Sequence, residues 1–547
     1  MEVSAIGGLE VGGLEVGGKR HRRALCWVRR DLWLRDHRAL FEACEAADEV
    51  AVVFVFDSAI LSELVDKDDT RVTFIHRSLV EMDSKLRAMG SRLVCVYGNP
   101  VELIPDVAKK LGATLVVASH DREPYAMERD DEVRARLAAV EVGGLDSSGI
   151  GMVTFKDHVI FESGEVMNQA GLPFRVYTPY SKTWRANFVE EVHAAEYCPR
   201  FERLASVAVL DSALDIAGDA RDGDGGDGVA GGGIPSLESM GFVEAEPWLA
   251  AGEDAAYERL EWFDGLMGAY KEQRDFPAIE GTSGMSAHLR FGTISVRELV
   301  RAALRKVQLG TMSATGSGTG SGTGSGTGLG DEVSSREVAG ADKWLAEVIW
   351  RDFYHDILGN FPRVVETTFS PLYEAMVWPG SEGDRAEEMY AAWEEGRTGY
   401  PIVDAAMRCL NQTGWMHNRL RMVVASFLTK HLLIDYRRGE AHFARKLLDF
   451  DLACNNGGWQ WAASVGCDAQ PYFRVFNPYL QSKKFDSDGT FIRQWVPEIA
   501  SLSGELIHEP TLSDCRLLGY PSPIVDHSSA RDEAIKLFKS YAPPETV

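Results

Sequence analysis

The chain has 547 residues, 45% of them hydrophobic and 25% charged, with a formal net charge of −25 at pH 7. This balance is globular and excludes a disorder-dominated or collagen-like chain, and the lack of any run of about 18 apolar residues excludes a membrane-spanning helix. The acidic excess argues against non-specific nucleic-acid binding by the whole chain and leaves that work to a local basic face.

At roughly 100–200 residues per domain the length predicts two to four domains. Residues 1–23 repeat Gly-Gly-Leu-Glu-Val and end in Lys19-Arg20-His21-Arg22-Arg23. They lack the apolar segment of a secretory signal and are expected to form a flexible tail, its basic end a solvated charge run or a nuclear address. Apolar, β-branched runs at 25–28, 50–56, 93–97 and 114–118 alternate with amphipathic stretches. They predict parallel strands with crossover helices, hence an α/β domain over 24–155. No Gly-x-Gly-x-x-Gly follows the first strand, so a standard dinucleotide site is not expected there. Residues 156–235 lose this rhythm, and 218–233 hold eight glycines, the composition of a connector. From 236 to 547 the periodicity is helical, broken at 311–330 where Gly alternates with Ser or Thr, a tract expected to be a disordered insertion. Cys26, Cys44, Cys95, Cys198, Cys409, Cys454, Cys467 and Cys515 form no Cys-x-x-Cys pair. They read as reduced thiols of a nuclear, organellar or cytoplasmic protein, with neither disulfide framework nor metal site.

Of 13 Trp, eight lie beyond residue 340. Trp344-Leu-Ala-Glu347-Val-Ile-Trp350-Arg351 reads as one helix with residues 344, 347 and 351 on a shared face, either covering a core or walling a base or cofactor. Pro401 marks a helix start with Asp404 in its first turn. On the following helix Trp415, Asn418, Arg419 and Met422 share a face that suits a flat heterocycle with an anionic tail. Residues 398–450 carry eight Lys or Arg against four acids. That local excess reads as a phosphate footprint, the alternative being that these cations pair with the chain's many acids. Asp449-Phe-Asp451-Leu-Ala-Cys-Asn455-Asn456-Gly457-Gly458-Trp459-Gln460-Trp461 packs carboxylates, amides, a glycine pair and two indoles into one short stretch, too dense for packing alone.

These strings resemble those of the photolyase/cryptochrome family. Trp27-Val-Arg29-Arg30-Asp31-Leu-Trp-Leu-Arg35-Asp36 is similar to its N-terminal signature, and 282–286, 344–354, 398–422 and 449–461 are similar to its flavin-domain signatures. The likeness runs from about residue 24 to 543. It implies an α/β, Rossmann-like antenna domain joined to an all-α domain that holds FAD, and light-driven electron transfer from reduced FAD to a pyrimidine dimer flipped out of UV-damaged DNA by a monomeric enzyme. By the same resemblance Glu347, Trp350, Asn418, Met422 and Trp461 surround the dimer, and Asn455 faces the flavin. The second His expected of enzymes acting on (6-4) photoproducts is missing from His417–Met422. Together with the short stretch beyond Tyr520-Pro-Ser-Pro-Ile-Val525-Asp526-His527, these residues imply the class I cyclobutane-dimer branch. FAD contacts carried over are Tyr270, Thr282, Ser283, Gly284, Met285, Ser286, Trp344, Arg351, Trp415, Arg421, Asp449, Asp451 and Asn455. Arg274, Arg419 and Gln481 carry over as DNA contacts.

The chain departs from the family in three places. Trp459 matches the flavin-proximal member of the electron-transfer chain, but the middle position is Tyr436, and 381–385 lack the distal Trp, which implies impaired photoreduction or a route through Tyr436, Trp378 or Trp393. Gly284 stands where many relatives have Arg. Glu123-Pro-Tyr125-Ala-Met-Glu128-Arg129-Asp130 resembles the antenna-contacting segment, yet the Cys-Lys pair of folate binders is not apparent near 363–373, so methenyltetrahydrofolate and deazaflavin both remain open. The alternative to a repair enzyme is a blue-light receptor that signals through a protein partner.

Overall fold

The computed structural model describes residues 20–140, 149–214, 233–316 and 329–541, with the backbone alone over 310–316 and 329–334. Five parallel strands, β1 (His21–Val28), β2 (Ala47–Asp57), β3 (Leu93–Gly98), β4 (Leu115–Ser119) and β5 (Gly151–Phe155), pair in the order β3-β2-β1-β4-β5. Helices α1 (Arg38–Ala46), α2 (Thr70–Ala88), α3 (Pro100–Leu111) and α4 (Pro124–Ala138) accompany them. The caps are written in the sequence. Asp69 accepts a hydrogen bond from Arg71 N, Asn99 accepts one from Val101 N ahead of Pro100, and Gly112 ends α3 at φ +63°. Both faces of the sheet are buried. Ala24, Cys26 and Val28 enter one core cluster while Leu25 and Trp27 enter the other, which is why these strands read as continuous apolar runs.

The first strand begins at His21, so the end of the expected tail belongs to the sheet. Arg20 donates to Ala47 O at 3.0 Å and Arg23 pairs with Glu49, and residues 1–19 lie outside the described residues. The expected connector also holds structure. It contains the helices Tyr177–Asn187 and Val207–Ala213, and its Ala205 and Leu210 are buried in the sheet's core. Most of the glycine tract, 215–232, lies outside the described residues.

The second half is helical. Its elements include α5 (Ser286–Phe291), α6 (Val296–Gly316), α7 (Leu329–Asn360), α8 (Pro401–Thr413), α9 (Asn418–Lys430), α10 (Tyr436–Lys446) and α11 (Leu452–Ala462). Helices α6 and α7 run into the expected 311–330 insertion from either side, and 317–328 lie outside the described residues. Pro401 opens α8 and Gly414 closes it at φ +70°, as the sequence predicts. Asp451 caps α11 by accepting from Cys454 N at 3.0 Å. The two halves are tied by charge. Arg30 reaches Asp451 at 2.9 Å, Arg71 donates to Ala444 O at 2.6 Å, and Lys446 meets Asp66 at 3.0 Å. The eight cysteines are free thiols, and no helix among the described residues is long and apolar enough to cross a membrane.

Candidate functional site

A cavity of about 480 Å³ opens in the helical half, within the range of small-molecule sites. Helix α7 supplies Trp344, Glu347, Trp350 and Arg351, α9 supplies Asn418, Arg421 and Met422, and α11 supplies Asn455, Gly458, Trp459 and Trp461. Tyr270, Arg274, Ser283, Met285 and Ser286 close one side and Asp449 and Asp451 another. Residues distant in the sequence meet here because α11 packs on both α7 and α9.

The deep end is ionic. Arg30 of the α/β half bonds Asp451 at 2.9 Å, Glu123 at 2.7 Å and Asp121 at 3.3 Å, and Arg290 adds a 2.6 Å bond to Glu123. Burial opposes the charge on Asp451, but His355, Arg30 and Arg351 outweigh it and hold its carboxyl well below the usual carboxylate range. His355, Asp451 and Cys454 bring potential metal-ligand atoms within 4.8 Å of one another. With Arg30 already on Asp451 and Arg290 4.0 Å away, the protein's own cations occupy that charge. Burial pushes the Cys454 thiol well up, which makes it inert. Arg421 Nη2 donates to both carboxylate oxygens of Asp449, at 2.8 and 3.1 Å.

The mouth differs. Trp350 and Trp461 are half-buried, Asn418 is exposed, and Glu347 is flanked by Arg274 and by Lys343 at 3.0 Å. Behind the wall, Asn455 Nδ2 donates to Glu440 O at 3.1 Å and Asn456 Nδ2 to the Glu440 carboxylate at 3.0 Å. Burial pushes the Glu440 carboxyl up to about 7.

The residues fit a large, partly anionic, aromatic cofactor. Arg351 Nη2 and Trp459 Nε1 are buried without hydrogen-bond partners and belong to side chains that line the cavity, so they are donors awaiting acceptors. The Ser283 hydroxyl accepts from Trp344 Nε1 at 3.2 Å and leaves its own proton for a ligand.

Several expected site residues lie elsewhere. Trp415 does not line the cavity but packs on Trp248, ring centroids 4.9 Å apart. Thr282, Gly284, Arg419, Gln481 and Tyr436 are likewise outside its lining. Arg419 is held by Asp275 at 2.9 Å over the Phe485 ring. Gly284 sits at φ +69°, and a Cβ there would stand 3.1 Å from the Arg259 guanidinium, whose Nε donates to Ser283 O at 2.7 Å. Arg259 thus places a guanidinium beside Gly284, the loop position at which the resemblance leads one to expect Arg. The glycine pair divides its work. Gly457 makes room for Tyr354, whose ring a Cβ would meet at 2.1 Å, while Gly458 lines the cavity.

The phosphate footprint is not borne out as free charge. Of its eight cations, Arg408 pairs with Glu498, Arg419 with Asp275, Arg421 with Asp449, Arg437 with Asp435, Arg438 with Glu387, and Arg445 and Lys446 with Asp66. Lys430 is buried against Phe538 and Ser464. The alternative, cations paired with the chain's acids, describes the stretch. Sequence reading also gave no role to Arg30, Glu440 or Arg259. Arg30 sits inside the matched N-terminal signature, but its partner lies 421 residues away.

Comparison with known proteins gives concordant matches. The model described as DNA photolyase matches residues 24–199, and that described as FAD binding domain of DNA photolyase matches 344–540. A deoxyribodipyrimidine photo-lyase of Halobacterium salinarum is 36% identical over 532 residues, 94% of this chain and 98% of the relative. Another from Synechococcus sp. is 35% identical over 515 residues, 92% of this chain and 94% of the relative. A bacterial class III photolyase from Agrobacterium tumefaciens superposes with a TM-score of 0.75 at 30% identity, covering 96% of this chain and 99% of that one. A chain with this parallel sheet, this helical cavity and relatives of such identity over nearly its whole length belongs to the DNA photolyase family.

Proposed function

We propose that the protein repairs cyclobutane pyrimidine dimers in UV-damaged DNA, using bound FAD and light. One observation carries this reading: Glu347, Trp350, Asn418, Met422 and Trp461, the residues the resemblance assigns to the lesion, all line one cavity whose remaining walls include Arg351, Asp449, Asp451 and Asn455. Bound FAD would supply light-driven one-electron chemistry to the dimer, with the electron returned once the cyclobutane ring has opened, so that no net redox change results. Tyr270, Ser283, Met285, Ser286, Trp344, Arg351, Arg421, Asp449, Asp451 and Asn455 are the residues that would hold it.

Extruding a damaged pair from the duplex costs a few kcal/mol. Stacking on Trp350 and Trp461, worth about 1–3 kcal/mol per base, offsets that cost without reading sequence. Glu347 and Asn418 then hydrogen-bond the polar edges of the dimer, and the apolar walls keep the site dry so that these bonds are strong. For Arg274 and Arg419 to serve phosphates, their pairings with Glu347 and Asp275 must open. Light-dependent loss of dimers from irradiated DNA, incubated with the purified reduced holoprotein, tests the proposal. An outcome with no repair under light would favour the signalling photoreceptor instead.

We infer further that electrons from an external reductant reach the cavity through Trp393 and Trp459, not through Tyr436. The Trp459 ring contacts Trp393 with centroids 6.0 Å apart, and Trp393 contacts Tyr390 at 5.9 Å, a half-buried ring beneath Arg438. Tyr436 packs instead on Trp378 at 6.4 Å. Blue-light bleaching of the oxidised holoprotein with an external thiol should slow far more in Trp393→Phe than in Tyr436→Phe, and the reverse order would overturn the route. The antenna chromophore, folate or deazaflavin, is proposed beside Tyr125, which is exposed at the start of α4 and donates to Asp57 at 2.8 Å at the end of β2. The carboxyl ends of such strands, near the reversal of strand order, are where open α/β sheets bind ligands.

A further inference from the structure

Tyr177 opens the helix Tyr177–Asn187, within the stretch expected to be a plain connector. Its ring lies on the ring of Trp350 with centroids 3.7 Å apart and planes 7° from parallel, the shortest centroid separation among the described aromatic pairs. Three further contacts fix it. The hydroxyl donates to Ala346 O at 2.8 Å, the backbone N–H donates to Asp468 Oδ2 at 3.1 Å, and the ring meets Phe353 edge-on at 5.9 Å. Asp468 stands at φ +45° in the segment that follows α11, and two residues later Gln470 N donates to Trp461 O at 3.3 Å. A line of contacts therefore joins the two indoles of the mouth from behind, running Trp350, Tyr177, Asp468, Gln470, Trp461.

We propose that Tyr177 is a positioning residue for lesion recognition, which occupies one face of Trp350, presents the other to the cavity, and through Asp468 sets the spacing between Trp350 and Trp461. An indole backed on one side offers a single stacking face of fixed tilt, so little rotamer freedom is lost when a base pair lands on it. A gap set by tied walls discriminates by shape, admitting the fused pyrimidine pair in preference to two unlinked bases, whereas walls free to move would accept both. The inference rests on the reading of the mouth as the dimer site. The helix that carries Tyr177 does not depend on that ring for its place, since Trp184 Nε1 donates to Asp352 at 2.9 Å and Arg185 pairs with Asp342 at 2.8 Å further along.

The experiment measures Kd for a dimer-containing oligonucleotide and for its undamaged counterpart, with bound FAD and repair at saturating DNA as companion readouts. Tyr177→Ala is expected to weaken dimer binding about tenfold, the lower half of a stacking contribution, with undamaged-strand affinity, FAD content and saturated repair preserved. Tyr177→Phe keeps the stack and should restore dimer affinity to within about twofold, since the bond it gives up, to Ala346 O, lies within the protein and leaves the ring on Trp350. Should Tyr177→Ala fold poorly, Tyr177→Leu, which fills the site without a stacking ring, is expected to behave as Ala does. An unchanged dimer preference in Tyr177→Ala or Leu, an equal loss on both strands, or a failure of Phe to rescue would overturn the proposal. Trp350→Ala separates the two layers of inference: if it abolishes the preference while Tyr177→Ala does not, the positioning role alone falls, and if neither moves it, the reading of the mouth falls as well.

Discussion

At the deep end of the cavity Asp451 meets Arg30, Arg290 and His355 within 4.0 Å, and each partner is itself buried or half-buried. At the mouth Trp350 and Trp461 present rings, and one carboxylate, Glu347, sits between two cations. The difference teaches that one cavity performs two tasks with opposite chemistry. A charge-paired floor spanning both halves of the chain fixes the geometry and suits a permanently held, partly anionic cofactor, because buried ion pairs define position at little net gain in energy. An aromatic mouth suits a ligand that arrives, stacks and leaves, because stacking is substantial yet tolerant of sequence.

The floor should therefore break hardest. Arg30→Ala leaves Asp451 with one fewer cation and removes one of the ties between the two halves, and loss of one partner of a buried pair destabilises by about 3–5 kcal/mol. Urea denaturation of the holoprotein, alongside the FAD-to-protein absorbance ratio, checks it: both stability and retained FAD should drop. At the mouth the expected loss is smaller and confined to DNA. Trp350→Ala and Trp461→Ala should each weaken binding of dimer-containing DNA by about 1–3 kcal/mol, with FAD content near that of the parent and a smaller drop in denaturation midpoint than Arg30→Ala gives.

Between floor and mouth lies Glu440, behind Asn455. Its folded-state value, up to about 7 from an ordinary 4.5, means that the folded protein binds this proton more tightly than the unfolded chain does. Stability should thus fall as pH rises from about 4.5 to about 7, by up to about 3 kcal/mol for this group. Asp356, also pushed up to about 7 by burial, acts in the same direction over the same window. Glu440→Gln should flatten the dependence in part, as read from denaturation midpoints between pH 5 and 8. An unchanged slope would show that the carboxyl is ionised across this range, with the Asn456 amide donating to the carboxylate.

How much of this was legible in the sequence differs between the same two regions. The mouth and walls were, because Glu347, Trp350, Asn418, Met422, Asn455 and Trp461 fall in short strings that resemble the family's signatures, and all of them line the cavity. The four leading strands were legible for a related reason: burial on both faces makes each a continuous apolar run, as in residues 50–56. The floor was not, because Arg30 and Asp451 are brought together only by the packing of the halves. The connector was misread although it carried a signal, since Tyr177, Tyr180 and Trp184 stand at the i, i+3, i+7 spacing of a helix face. Trp415 was placed in the cavity by spacing from Asn418 and Met422, but it precedes α9 and turns to Trp248 instead.

The weakest expected effect concerns the basic stretch 398–450, and it isolates what a charge count leaves out. Summed along the sequence its cations look like a phosphate footprint; in the fold Arg438 grips Glu387 with two bonds of 2.7 and 2.8 Å, and Arg445 and Lys446 share Asp66. A cation already neutralised by an acid releases few counterions on meeting DNA, so it contributes little to the salt dependence of binding. Arg438→Ala and Arg445→Ala should each change DNA affinity by no more than about 1 kcal/mol, the scale of an exposed ion pair, and leave the slope of log Kd against log salt unaltered. A phosphate-contacting cation, in contrast, lowers that slope by about 1 when removed. A unit drop in either variant would show that the pairs open on DNA and that the footprint inferred from composition operates after all. No drop would show that these two pairs stay closed on DNA.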